Sequence, residues 1–177
     1  MTLSPRKTFL AGFAAAFVLI GTAVAGYFVY EQAGAPGVVV AGAPSFRAPS
    51  TDYGPQKVVY HVSTKGTWRD REAEAWRLIA VINNHINAVE PDPLDLQIVF
   101  QGDGIDALRR AKTNPRLAAA FDALRKRGVK IQVCANTLEA YKLSLETLYN
   151  VSEVDLVQAA VAEFARLQQR GYSYIKF

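Results

Sequence analysis

One thiol, two imidazoles and a Gly-x-Gly turn are the groups in this 177-residue chain whose types and spacing could do chemistry. The only cysteine, Cys134, stands where the apolar run Val129 to Val133 gives way to the helix-start sequence Ala135-Asn136-Thr137-Leu138. A helix N-terminus stabilises a thiolate, the reactive form of cysteine. The chemistry to expect is attack on the outer sulfur of a persulfide or polysulfide, storage as Cys134-S-SH, and release to another thiol. With no second cysteine, a Cys-x-x-Cys dithiol cycle and an intramolecular disulfide are both excluded. The competing reading is that Cys134 packs as a small hydrophobe.

His61 lies in the first apolar run. In a doubly wound order that strand is expected to neighbour the third, which would bring the imidazole toward Cys134 to favour its thiolate. The alternative is a histidine packed between sheet and helix. His85, beside Asn83, Asn84 and Asn87, reads as surface or helix contact. A metal site from His61, His85 and Cys134 has no spacing signature to support it, so no metal and no cofactor is assigned.

The turn Gln101-Gly102-Asp103-Gly104 follows the second apolar run, on the sheet edge expected for Cys134. Glycines there let backbone amides approach an anion or small ligand, so Gly102, Asp103 and Gly104 are candidate binding residues, although a tight turn needs no ligand. Asn136 and Thr137 join them, with helix capping as the simpler role. Asp103 and Asp106 fall where acids are expected on dipole grounds, and paired-carboxylate, Ser-His-Asp and Walker patterns are absent from the sequence.

Positioning these groups is the task of alternating apolar runs and amphipathic helices. Strands are expected at Val58 to Val62, Leu94 to Phe100, Val129 to Cys134, Val154 to Val157 and Tyr172 to Lys176. Thr67 with Asp70 forms a capping box for a long helix with Trp76, Ile79, Ile82, Ile86 and Val89 on one face, ended by Pro91 and Pro93. A short helix follows Ile105. Asn114-Pro115 opens another that buries Leu117, Phe121 and Leu124 and closes at Gly128. The helix after Cys134, capped by an Asn136/Glu139 box or by Thr137, is expected to bury Leu138, Tyr141, Leu145 and Leu148, and the last to bury Val161, Phe164 and Leu167. The fold class is a single α/β domain, residues 57–177, whose doubly wound, mostly parallel sheet of about five strands has helices on both faces.

Ahead of it, Thr8 to Tyr30 carry no charge and follow Arg6 and Lys7, long enough to cross a bilayer. Residues 1–30 are thus a signal peptide, with a small-x-small site at Ala23-Val24-Ala25, or a retained anchor extended by Tyr27 to Tyr30. Residues 31–56, with Ala-Gly-Ala-Pro at 33–36 and 41–44, read as a flexible linker. The expected location is periplasmic, soluble or held to the inner membrane by residues 1–30. The net charge of +4 falls to 17 bases against 14 acids within the domain. Clusters such as Arg109, Arg110, Lys112 and Arg116 read as solvated helix faces, and nucleic acid is not an expected partner.

The segments Lys57-Val-Val-Tyr-His61, Val133-Cys-Ala-Asn-Thr-Leu138 and Leu167-Gln-Gln-Arg-Gly-Tyr-Ser-Tyr-Ile-Lys176 resemble the DsrE/DsrF-like family across residues 57–177. That resemblance implies a compact α/β fold, homo- or hetero-oligomers, sulfur donor and acceptor proteins as partners, and a strand-end cysteine that carries sulfane sulfur, a place Cys134 matches. The apolar segment departs from the cytoplasmic relay proteins, and the Cys-x-Asn-Thr-Leu pattern with the C-terminal Tyr-Ile-Lys-Phe resembles an exported subgroup. Two functions follow. One is a sulfurtransferase-like persulfide carrier acting through Cys134, with His61 assisting. The other is a non-catalytic ligand-binding or oligomer-assembly module in which Cys134 is structural.

Overall fold

The computed structural model describes residues 51–63 and 71–177. The apolar run 8–30, the linker up to residue 50 and the Thr67/Asp70 box lie outside them. Among the described residues no helix is long and apolar enough to cross a membrane.

Five strands form one sheet: β1 Gln56–Val62, β2 Leu94–Phe100, β3 Lys130–Cys134, β4 Leu156–Val157 and β5 Ser173–Lys176, in the order β4-β3-β2-β1-β5. Every neighbouring pair is parallel. The helices are α1 Arg71–Val89, α2 Asp106–Ala111, α3 Pro115–Lys126, α4 Ala135–Tyr141 and α5 Ala160–Gln169. From β1 to β4 the chain steps steadily toward one edge with α1 to α4 on one face. It then returns over the whole sheet through α5, on the opposite face, to place β5 beside β1. Parallel crossovers are right-handed, so a reversal of direction moves the connecting helix to the other face.

Alternation along the strands sorts the core into two. Val58, Tyr60, Val62, Leu96, Ile98, Phe100, Ile131 and Val133 pack with α1, α2, α3 and Leu138. Val59, Val99, Cys134 and Val157 pack with Ala160, Phe164 and Leu167 of α5. Helix α3 is set by its sequence: the Asn114 side chain accepts from the N–H groups of Arg116 and Leu117 at 3.1 Å each, and Pro115 occupies the first turn.

Three elements differ from the sequence reading. The helix after Cys134 stops at Tyr141, because Lys142 adopts a left-handed conformation with φ 53° that breaks the helical path. Tyr141 is therefore exposed, Leu145 begins a separate 3-10 turn, and only Leu138 and Leu148 of the expected stripe are buried. The fourth strand shrinks to two residues, because the Ser152/Asp155 capping box folds Glu153–Asp155 into a 3-10 turn and leaves Val154 exposed. In α5, Val161 points to solvent and Ala160 takes the inward position.

Candidate functional site

Cys134 ends β3 and is the N-cap of α4, a helix of only seven residues. Its side chain makes no capping bond. Sγ turns to the α5 side of the sheet, where it accepts the N–H of Ala160 at 3.4 Å, the first residue of the ten-residue α5. The thiol is 2% exposed, enclosed in the cluster of Val59, Val99, Val157, Phe164 and Leu167.

Neither Asn136 nor Thr137 caps α4, because Cys134 already occupies the cap position. Asn136 instead clips the helix to the β4–α5 connection: its N–H donates to the Gln158 carbonyl at 3.3 Å and its Oδ1 accepts from Gln158 Nε2 at 2.9 Å. The buried Thr137 Oγ1 accepts the N–H of Gly102 at 3.1 Å. That bond joins the β2 turn to α4, so the structure brings the Gly102 turn and Thr137 together at the carboxyl edge of the sheet.

The two glycines have separate structural reasons. Gly102 has φ +54°, which favours glycine. A Cβ on Gly104 would lie 2.1 Å from the Val62 carbonyl oxygen, so the turn can press against β1 only without a side chain. Asp103 accepts from Tyr141 Oη at 3.0 Å, which pushes the Tyr141 hydroxyl above its ordinary range, and Arg71 stands 4.0 Å away.

His61 is not beside Cys134. Strand β2 lies between β1 and β3, with His61 opposite Val99 and Val99 opposite Gln132. Two strand spacings and a two-residue offset put the Cα atoms of His61 and Cys134 roughly 12 Å apart, too far for a direct hydrogen bond. The expected adjacency fails because the chain steps one strand at a time and reverses only after β4. His61 instead pairs Nδ1 with Tyr174 Oη at 2.7 Å and lies against the Phe164 ring, centroids 4.4 Å apart. Its Nε2 is buried with no hydrogen-bond partner among the described residues. Burial lowers its pKa, as does the Lys176 cation, while the nearby Gln101 amide acts the other way without bonding Nε2.

His85 belongs to the other face. Its Nε2 donates to Gln56 Oε1 at 2.8 Å, which leaves Nδ1 to accept from the buried Tyr60 hydroxyl at 2.9 Å. Burial lowers the His85 pKa and raises that of Tyr60. The sheet thus stands between His85 and the pair His61 and Cys134, and the three cannot converge on a metal. Sequence reasoning missed Ala160, whose contribution is a backbone N–H with no residue signature. It also missed Tyr174, which the alternation of Tyr172 and Tyr174 along β5 could have placed on the His61 face.

No curated protein matches the chain. Among solved structures it is similar to MTH1491, a protein of unknown function from Methanobacterium thermoautotrophicum, at 25% identity and a TM-score of 0.56, covering 69% of this chain and 99% of that one. It also matches the ychN protein of E. coli at 16% identity and a TM-score of 0.48, again covering 69% and 99%. The sequence profile of the DsrE/DsrF-like family matches residues 56–177, from the first residue of β1 to the end of the chain. The chain belongs to the DsrE/DsrF-like family.

Proposed function

We propose that this member of a sulfur-relay superfamily carries sulfane sulfur as a persulfide on Cys134. The observation that carries the reading is the Ala160 N–H directed at Sγ, since a backbone donor at the start of a helix favours negative charge on sulfur. In the step, the Cys134 thiolate attacks the outer sulfur of R-S-SH. The donor S–S bond breaks, a new Sγ–S bond forms, and R-S⁻ leaves and takes up the proton that the thiol gave up. Oxidant and reductant are not consumed. Because the thiol is 2% exposed, loading accompanies displacement of the first turn of α5.

The uncharged run from Thr8 to Tyr30 supports an exported domain, cleaved or anchored; on this reading the domain is a homo-oligomer and meets its sulfur donor and acceptor proteins outside the cytoplasm. His61, separated from Cys134 by β2, supports the site through Phe164 rather than by contact with sulfur.

The burial itself favours a second reading, a non-catalytic binding or assembly module with Cys134 as a core residue. Intact mass after incubation with polysulfide decides between them. A gain of one sulfur that reduction reverses and Cys134→Ser abolishes is expected. No adduct, with alkylation only after unfolding, would leave Cys134 a packing residue.

A further inference from the structure

Helix α5 is held unequally at its two ends. Its C-terminal end runs into β5, whose four residues all pair with β1, and the adjoining Tyr172 accepts from Gln97 Nε2 at 2.8 Å and donates to Asp95. Its N-terminal end follows β4, which has only two residues paired with β3. No side chain caps the helix at Ala159, and the Ala160 N–H has a sulfur, a weak acceptor, as its partner.

The polar tie at that end is the clip between Asn136, two residues after Cys134, and Gln158, two residues before Ala160. Beside the first turn of α5, a groove of about 380 Å³ runs between the helix and the β4 edge of the sheet, lined by Gln132, Val157, Ala159, Ala162, Glu163 and Arg166. The turn therefore has no packing on that flank. Gln132 Oε1 is buried without a partner among the described residues, and lifting the turn lets water reach it, which lowers the cost of opening.

We infer that α5 is a lid over Cys134, hinged at its C-terminal end and latched at its N-terminal end by Asn136 and Gln158. Opening breaks the side-chain bond of the latch and withdraws the Ala160 N–H from Sγ, which uncovers the thiol while β1, β2 and β3 stay paired. Hinges take up backbone change at the ends of elements, and a weakly held element opens at a lower cost than the whole fold. The use of the lid rests on Cys134 carrying sulfur; its motion does not.

The test is the rate of Cys134 alkylation by N-ethylmaleimide in the native full chain. Asn136→Ala and Gln158→Ala, both at exposed positions, are each expected to raise the rate about three- to tenfold, the worth of one side-chain hydrogen bond, and the double variant no further than the larger single effect. Gln168→Ala with Gln169→Ala, exposed at the hinged end, should leave the rate at that of the parent. The rate should rise little in urea below the unfolding transition, because lifting one turn exposes little surface. Unchanged rates in both latch variants, additive latch variants, equal acceleration by the pair at the hinged end, or a rate that follows urea as steeply as global unfolding would each overturn the lid. Mass gain from polysulfide separates the two failures. A chain that takes up sulfur without a latch effect loses the lid and keeps the carrier, and one with a latch effect that takes up no sulfur keeps the lid and loses the carrier.

Discussion

The two faces of the sheet are built to different standards. On the α1 to α4 face, 23 buried residues form one cluster, and beside it the half-buried His85 of α1 has both ring nitrogens bonded. On the α5 face a single helix covers a cluster of seven buried residues. There His61 Nε2 and Gln132 Oε1 are buried without partners among the described residues. A parallel sheet is ordinarily covered on both faces by apolar packing. The thinner face is also the one that carries Cys134, so the group with chemical potential sits where the fold invests least in packing.

The largest effect should come from the thick face. Phe121 is 1% exposed and meets Phe100 at a centroid distance of 6.2 Å. Phe121→Ala is expected to cost about 3–5 kcal/mol in denaturant unfolding, since the surrounding elements cannot close the cavity. A cost below about 1 kcal/mol would remove the distinction between the faces.

Phe164→Ala tests the thin face, with a smaller loss of about 2–3 kcal/mol, because α5 has solvent on its outer side and can settle inward. The sharper readout is the thiol. Phe164 packs in the cluster that encloses Cys134, so the variant should be alkylated several-fold faster than the parent under native conditions. An unchanged rate would show that Val157 and the first turn of α5 shield Cys134 without help from the ring.

The contrast between faces also marks what was legible in the sequence. Strands β1, β2 and β3 and helices α1 and α3 stand nearly where periodicity and, for α3, the Asn114 cap put them, because each buries a continuous apolar stripe and ends at Pro91, at Gly128 or at a turn. The short elements were less legible. Lys142 in a left-handed conformation and the 3-10 turn at Glu153–Asp155 reflect local hydrogen bonds that leave no hydrophobic period. At the candidate site, sequence order located Cys134 at a strand end and the Gly102 turn on the same edge. The place of β2 between β1 and β3 was not readable, because strand order is a property of the returning crossover and not of any one segment. The Ala160 donor was invisible for a simpler reason: every residue but proline carries the same N–H.

The smallest effect, and the most discriminating, is the response of the two histidines to acid. Both have pKa values lowered from 6.5, His61 by burial and Lys176 and His85 by burial. The unfolded chain therefore takes up protons at a pH where the native state does not, so stability rises with pH across that window. The contribution is fully present above about 6.5 and is lost as the pH falls through the lowered native values. Unfolding by denaturant between pH 7.5 and 5 should show the decline, with His61→Gln and His85→Gln each removing part of it. His85→Gln should also lower stability at pH 7.5, because the buried Tyr60 hydroxyl loses its acceptor, whereas His61→Gln discards an Nε2 that bonds no described residue. If His61→Gln left the acid slope unchanged while His85→Gln flattened it, the α5 face would be open enough for water to solvate its histidine, and the thin face would be thinner than its packing suggests.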